Sequence, residues 1–392
     1  MGEPMQSILI DVTRLLGRAL KGRLPTGVDR VMLEYVRHYG NSARAVVHVR
    51  DRFRALSRAA SARLFRQLLG QAGDEGRAFA SRNVASFVRD LLAGDGAAQF
   101  RGALLLNLGH LNLHRASHQR MLVDHGIKPV YFIHDLIPLT HPEYCREGEE
   151  ALHARRIAHA LEYGVGLIAN SQATLEEVAS FARQRALDVP PAVVALLAPG
   201  TAPVAVQARP LAHPYFVMLG TIEARKNHLT ILQAWRQLAA QSGAAAPKLV
   251  VIGQRGWECE QVIDLLDRCA ALRGTVIEKR GCSDADVAWY LRHAQALLFP
   301  SFAEGFGMPL VEALQMGTPV IASDLPAFRE IASNVPDYLD PIDGPGWKRA
   351  IQVYCAPEGG PRESQLQRLA SYRVPSWDAH FAAVDSFLAQ LK

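Results

Sequence analysis

The stretch "FAEGFGMPLVEAL", residues 302–314, follows directly on the short apolar run "ALLFPS", residues 296–301. An apolar run that stops at proline and serine reads as a buried parallel strand giving way to a loop. Pro309 then fits the first turn of a helix, and Gly317 falls just past its end. Strand, glycine loop and helix form the unit from which parallel α/β sheets are built. Gly305 and Gly307 allow the loop backbone to approach a ligand closely, and the unpaired amides at a helix start favour an anion. Glu304, before the glycines, is placed to accept hydrogen bonds from hydroxyls, and Glu312, one turn into the helix, could accept two from a ribose diol. The spacing of the two glutamates alone is common on protein surfaces and decides little.

The same rhythm runs through the rest of the chain. "SILIDVTRLL" (7–16), "ARAVVHVR" (43–50), "GALLLNLG" (102–109), "PVYFIHDL" (129–136) and "VGLIANS" (165–171) read as strands ending in polar or glycine-containing loops, with helical stretches such as "EGEEALHARRIAHALEYG" (147–164) between them. Residues 198–214, "APGTAPVAVQARPLAHP", lose all periodicity and read as a linker. The alternation restarts with "YFVMLG", "KLVVIG", "TVIEKRG" and "PVIASD". A chain of 392 residues with two such series is expected to form two α/β domains, with a cleft where their strand ends face each other.

Composition narrows the function classes modestly. About half the residues are hydrophobic, a fifth are charged, and the formal charge is +5, too weak a basic bias to argue for nucleic acid. No apolar run approaches the roughly 18 to 20 residues that cross a bilayer, and the first residues lack the pattern of a secretory signal, so a cytoplasmic location is expected. Cys145, Cys259, Cys269, Cys282 and Cys355 are scattered and never form a CxxC pair, so neither a disulfide framework nor a zinc site is indicated. Residues 51–93 break the rhythm: Arg52, Arg54, Arg58, Arg63 and Arg66 alternate with apolar residues, which predicts basic amphipathic helices inserted in the first domain. Their basic face is either simply solvated or attaches the protein peripherally to the cytoplasmic face of the inner membrane.

Taken together, the E-(seven residues)-E stretch with its internal "GFGMPLVE", followed by "ALQMGTPVIASDLPAFREI" (313–331), resembles the donor-site signature of retaining glycosyltransferases of the family 4 type (glycosyl transferases group 1). The resemblance runs from about residue 216 to 332. It implies an α/β protein of the GT-B class, two Rossmann-like domains facing across a cleft. Residues 1–198 would then form an acceptor domain carrying the helical insertion at about 51–93, residues 199–214 the linker, and residues 215–375 the nucleotide-sugar domain. Residues 376–392, helical by periodicity, would cross back to the first domain. The resemblance also implies that no metal or other cofactor is needed.

The resemblance carries over to individual positions. In "GTIEARKNH" (220–228), Arg225 and Lys226 would neutralise a donor diphosphate, with Gly220 at the strand end beside them. Gly305, Phe306, Gly307, Met308, Pro309, Leu310, Val311 and Glu312 would line the donor, with Glu304 on the sugar hydroxyls. "EKRGCSDADVAWYL" (278–291) would place Gly281 and Cys282 near the nucleotide base. Its Asp284 and Asp286 form a D-x-D, read here as a helix start after Ser283 rather than a metal site. In "YFIHDLIPLTHPEY" (131–144), His134 would contact the donor sugar and Asp135 would orient it or the acceptor; a buried structural histidine is the alternative. "LPTGVDR" (24–30) resembles the family's phosphate loop with its double glycine reduced to Gly27. Ser171 is either a strand-end ligand residue or a helix cap.

The "HDLIPL" and "GMPLVEAL" wording looks most like bacterial mannosyl- or rhamnosyltransferases of surface polysaccharide assembly. The implied reaction is retaining transfer of a hexose, mannose from GDP-mannose first and UDP-hexoses second, to a saccharide or lipid-linked glycan. A sugar-nucleotide epimerase, a phosphorylase-like enzyme and a non-catalytic nucleotide-sugar-binding subunit are the rival readings.

Overall fold

In this computed structural model, residues 7–23, 25–49, 52–71, 100–111, 113–200, 208–355 and 360–391 are described. By packing, the chain divides into two compact units. The first comprises Met1–Leu136, Ala151–Leu197 and Trp377–Lys392, and the second Ile137–Glu150 and Ala198–Ser376.

The first unit is built on strands β1 (Ile8–Asp11), β2 (Arg44–Val49), β3 (Arg52–Ala55), β4 (Leu104–Asn107), β5 (Lys128–Ile133), β6 (Gly166–Ala169) and β7 (Ala192–Val194). Among the described residues they lie in the order β3-β2-β1-β4-β5-β6-β7. All neighbours are parallel except β2 and β3, which pair antiparallel with Val46 opposite Ala55. Strands β4 and β6 are buried along their whole length, as expected when both faces of a parallel sheet are covered.

The second unit holds β8 (Tyr215–Leu219), β9 (Lys248–Ile252), β10 (Val276–Lys279), β11 (Leu297–Phe299), β12 (Val320–Ser323) and β13 (Asp337–Leu339). They form a wholly parallel sheet in the order β10-β9-β8-β11-β12-β13. Its first strand therefore lies between the second and the fourth. Such an order leaves a crevice beyond the strand ends where the winding reverses, between β8 and β11, and ligands of open α/β sheets sit there. Trp235 and Trp347 are fully buried in the core of this unit.

The sequence-based outline needs three corrections. Residues 52–55 are an edge strand and not part of a helix: the alternation of arginine and apolar residues there has the period of a strand, and pairing with β2 satisfies its backbone. The helix begins only at Arg58 and runs to Gln71, with Leu64, Phe65 and Leu68 buried and Arg58, Arg63 and Arg66 exposed; residues 72–93 of the expected insertion lie outside the described residues. Second, Ile137–Glu150 packs with the second unit although it interrupts the first in sequence. Third, β7 and β13 were not singled out, because three-residue strands carry too little periodicity to be recognised. Of the expected linker, residues 201–207 also lie outside the described residues.

The last helix, Trp377–Gln390, belongs to the first unit and buries His380, Phe381, Val384, Phe387 and Leu388. His380 Nε2 lies 3.0 Å from the Tyr35 hydroxyl, His38 stacks on Phe381 at 3.9 Å, and Tyr39 donates to Asp385 at 2.6 Å. On the sheet side the helix approaches Gly166 so closely that a Cβ there would lie 2.8 Å from the Phe387 ring and 2.7 Å from Leu391. Gly166→Val should therefore destabilise the first unit by about 1–3 kcal/mol through overpacking, read as a lowered urea midpoint. An unchanged midpoint would contradict this account of how the last helix docks.

Candidate active site

The residues that follow β8 and β11 meet at the reversal point of the second sheet. After β8 comes Gly220, whose N–H donates to Ile252 O at 3.0 Å, and then one tight turn, Ala224–Lys226. Asn227 ends that turn in the left-handed conformation, φ +55°, which asparagine tolerates better than most residues. Its side-chain amide donates to Pro300 O at 3.1 Å and to Pro341 O at 2.8 Å, tying the β8 loop to the loops after β11 and β13. The Phe302 N–H donates to Arg225 O at 2.8 Å, a second stitch between the two loops.

These stitches bring four charged side chains together. Arg225 Nη1 donates to Glu304 Oε2 at 2.7 Å and to Ala303 O at 3.0 Å, while its Nε pairs with Glu223 Oε1 at 2.8 Å. Lys226 Nζ donates to Glu304 Oε1, and Ser301 Oγ donates to the same oxygen at 2.8 Å. Glu304 is only 8% exposed at its side chain and Lys226 11%. Burial by itself would raise the Glu304 carboxyl, but the charges of Arg225 and Lys226 and their hydrogen bonds outweigh it and hold the group down at about 2. Burial, with Arg225 beside it, pulls the Lys226 ammonium below its ordinary value against the opposing pull of Glu304 and Glu223. Beneath it His228 is buried with neither ring nitrogen hydrogen-bonded, and burial plus the Lys226 charge lower its pKa to about 3. Glu223, Ser301, Asn227 and His228 were not singled out from sequence, although Ser301 three residues before Glu304 has the spacing for a local side-chain contact.

The expected donor loop is formed as its sequence grammar indicates. Gly307 precedes the helix Met308–Gln315 with φ +121°, and a Cβ there would lie 2.7 Å from the Phe328 ring, so the position excludes a side chain on both counts. Pro309 is in the first turn, Met316 caps the end, and Gly317 follows with φ +75°. Phe306, Leu310 and Val311 are buried, so their side chains belong to the core and only their backbone is available to a ligand. Met308, Pro309 and Gly305 are half-buried, and Glu312 is buried within the helix.

Other predicted residues stand apart from this group. Gly281 (φ +68°) and Cys282 follow edge strand β10, two strands away from β8, and burial raises the Cys282 thiol. Ser283 caps the next helix, accepting from Asp286 N–H at 3.2 Å while Asp286 accepts from Ser283 N–H at 2.9 Å. Asp284 and Asp286 lie in the first helical turn, so the D-x-D serves as a cap.

In the first unit, His134 follows β5 with Nε2 2.8 Å from Leu108 O, and its own carbonyl accepts from Asn170 at 2.8 Å. Burial lowers its pKa. The Asp135 carbonyl lies 3.2 Å from His153 Nε2. Gly27 starts the helix Gly27–Tyr39, and among the described residues no atom beyond its chain neighbours and its own helix backbone lies within 4 Å of where its Cβ would be. The residue that organises this loop is Asp29, fully buried and missed in the sequence reading: it accepts from Thr26 N–H at 2.7 Å and Oγ1 at 2.6 Å, and pairs with Arg14 and Arg18 at 2.8 Å each. The T-x-x-D spacing of a capping box was the available signal. Ser171 accepts from Thr174 N–H at 3.0 Å and caps its helix.

The buried cation–carboxylate group thus lies at the reversal point of a parallel sheet, where ligands of open α/β sheets bind. Residues 204–335, within the second unit, match the family described as glycosyl transferases group 1. The fold of the chain is of the GT-B class: it superposes on HepE from Anabaena with a TM-score of 0.64 at 16% identity, covering 98% of this chain and 100% of that one. Among curated proteins it is 29% identical over 224 residues to the serotype-specific mannosyltransferase WbdA of Escherichia coli, covering 53% of this chain and 27% of that protein. It is 33% identical over 129 residues to O-antigen chain mannosyltransferase B of Escherichia coli, covering 33% of each. The matched part thus spans about a quarter of the length of WbdA and a third of the second protein.

The depressed Glu304 carboxyl has a consequence for stability. Held at about 2 against its ordinary 4.5, it contributes stability that is fully present above about pH 4.5 and is lost as pH falls toward 2. Urea midpoints measured across that window should fall in the wild type and fall less steeply in Glu304→Gln.

Proposed function

We propose that the protein is a retaining, metal-independent hexosyltransferase that moves mannose from GDP-mannose to a saccharide or lipid-linked glycan in bacterial surface polysaccharide synthesis. The observation that carries this reading is the Arg225–Lys226–Glu304 group, set at the reversal point of the second sheet and inside the segment that matches glycosyl transferases group 1. The choice of mannose rests on the curated mannosyltransferases it resembles. UDP-hexoses are the second donor class, because HepE, which shares the fold, was crystallised with UDP and with UDP-glucose.

In the proposed reaction the diphosphate meets Arg225, Lys226 and the backbone amides that open the helix at Met308. Since Glu223 and Glu304 balance the two cations in the resting protein, the arriving phosphate competes for them with Glu304, which turns to the sugar hydroxyls. Charge on the leaving diphosphate grows as the glycosidic bond breaks, and fixed cations in a dry site stabilise that growth most. A leaving phosphate oxygen takes the acceptor hydroxyl's proton on the same face, which retains configuration. Glu312 holds the ribose, Gly281 and Cys282 lie toward the base, and His134 and Asp135 serve the sugar and the acceptor. Among the described residues no helix is long and apolar enough to cross a membrane; a lipid-linked acceptor would be met by peripheral attachment through the basic face of helix Arg58–Gln71.

Arg225→Ala should lower turnover by about 100-fold or more, as expected when transition-state charge stabilisation is lost. Unchanged turnover would sink the assignment. Glu312→Ala should instead weaken nucleotide binding about tenfold with a smaller effect on turnover. Titration with GDP, UDP, ADP and their sugars identifies the base, and loss of transfer on chelation with recovery in manganese would overturn the metal-independent mechanism.

A further inference from the structure

The segment Ile137–Glu150 packs with the second unit, and its purpose there is not explained by the donor site. It contains two short turns, Ile137–Thr140 and Pro142–Tyr144, and two of its side chains meet rings of the second unit outside the segment. Tyr144 stacks on Phe302 with ring centroids 5.1 Å apart and planes within 9°, and His141 stacks on Tyr144 at 6.0 Å and 14°. Arg146 lies over the Trp257 ring at 4.9 Å, a second attachment of the same segment.

Phe302 is the residue through which this stack reaches the charged group. Its backbone N–H is bonded to Arg225 O at 2.8 Å. On either side of it, Ser301 donates to Glu304 at 2.8 Å and the Ala303 carbonyl accepts from Arg225 at 3.0 Å. The loop 301–304 thus has its backbone fixed on the β8 turn and its one large ring fixed on Tyr144. Tyr144 and Phe302 are half-exposed, so neither ring is needed to fill the core. Offset-parallel aromatic pairs still favour one ring orientation over others, which restricts the backbone that carries them.

We infer that Tyr144 is a positioning residue for sugar transfer: its ring, stacked on Phe302, holds the 301–304 loop so that Glu304 stays within reach of Arg225, Lys226 and the arriving donor. The inference rests on the transferase reading of that group. Removing the ring deletes no charged group but lets the loop that carries Glu304 drift, and displacements of about 1 Å in a positioned group can cost on the order of 100-fold in rate. Nucleotide binding draws on Arg225, Lys226, the helix start at Met308 and Glu312, all of which remain, and is left nearly intact. Because the stack and not the phenol hydroxyl acts, Tyr144→Phe should behave as wild type.

The test compares wild type, Tyr144→Phe, Tyr144→Leu and Tyr144→Ala in two measurements. With the donor that the binding screen selects, the expected result is a kcat lowered about tenfold or more in Tyr144→Ala and Tyr144→Leu, a donor KM within about twofold of wild type, and full activity in Tyr144→Phe. The second measurement needs no turnover: the loss of stability between about pH 4.5 and 2, which reports the seating of Glu304, should become shallower in Tyr144→Ala and Tyr144→Leu and stay unchanged in Tyr144→Phe. An acid limb in both ring-less variants equal to wild type overturns the inference, as does an unaltered kcat, or a Tyr144→Phe variant as impaired as Tyr144→Ala. If the wild type turns over no nucleotide sugar, the transferase reading fails, and the acid limb still decides whether Tyr144 seats Glu304.

Discussion

One buried carboxylate organises the second unit's functional end. Glu304 accepts from Arg225, Lys226 and Ser301 at once, and it does so at a point where water is largely excluded. A buried ammonium without a counter-charge costs several kcal/mol and tends to lose its proton, and a buried carboxylate is no better placed alone. Each therefore depends on the other for its charge, and both depend on the loops that keep them within reach. The bonds from Asn227 to Pro300 and Pro341, and from Phe302 to Arg225, exist in this view to hold the pair together. In the proposed reaction the same dependence makes the group responsive: an anion that draws Arg225 and Lys226 toward itself would release Glu304.

Topology decides where such a group can form. With β8 between β9 and β11, the chain leaves adjacent strands toward opposite faces of the sheet, and the loops after β8 and β11 open beside each other. The first sheet repeats the arrangement with β1 between β2 and β4, and there too the functional candidates gather near strand ends: Asp29 in the first turn of the helix Gly27–Tyr39 with Arg14 and Arg18 of the helix Thr13–Ala19 that follows β1, and His134 after β5. These are different solutions to one constraint, since the buried Asp29 carboxylate is likewise satisfied by two cations and two Thr26 donors.

Much of the donor loop could be read in advance because its determinants are local. Proline within the first turn, glycine past the end and an apolar strand before the loop each act over three or four residues, and Met308–Gln315 forms where they point. Ser283 with Asp286 is another local device, and its spacing is that of a helix cap. The partners of Arg225 were not legible. A guanidinium 79 residues from a glutamate gives no periodic sign of meeting it, and the pairing of Arg225 with Glu304 depends on two loops converging. Residues 52–55 were misread for a related reason: arginine alternating with apolar residues fits the exposed face of a helix or the edge of a sheet, and only the neighbouring β2 settles which backbone bonds form.

By itself, then, the amino-acid order determined the alternation of strand and helix, the identity of the glycine loop and the charged residues available to it, because those follow from short-range sterics, capping and periodic burial. The folded chain decided which charges face each other, that Phe306, Leu310 and Val311 serve the core, that Ile137–Glu150 joins the second unit, and that Tyr144 comes to rest on Phe302. Those outcomes rest on contacts between residues far apart in sequence, whose strength comes from the water they jointly exclude, and no local pattern encodes that exclusion.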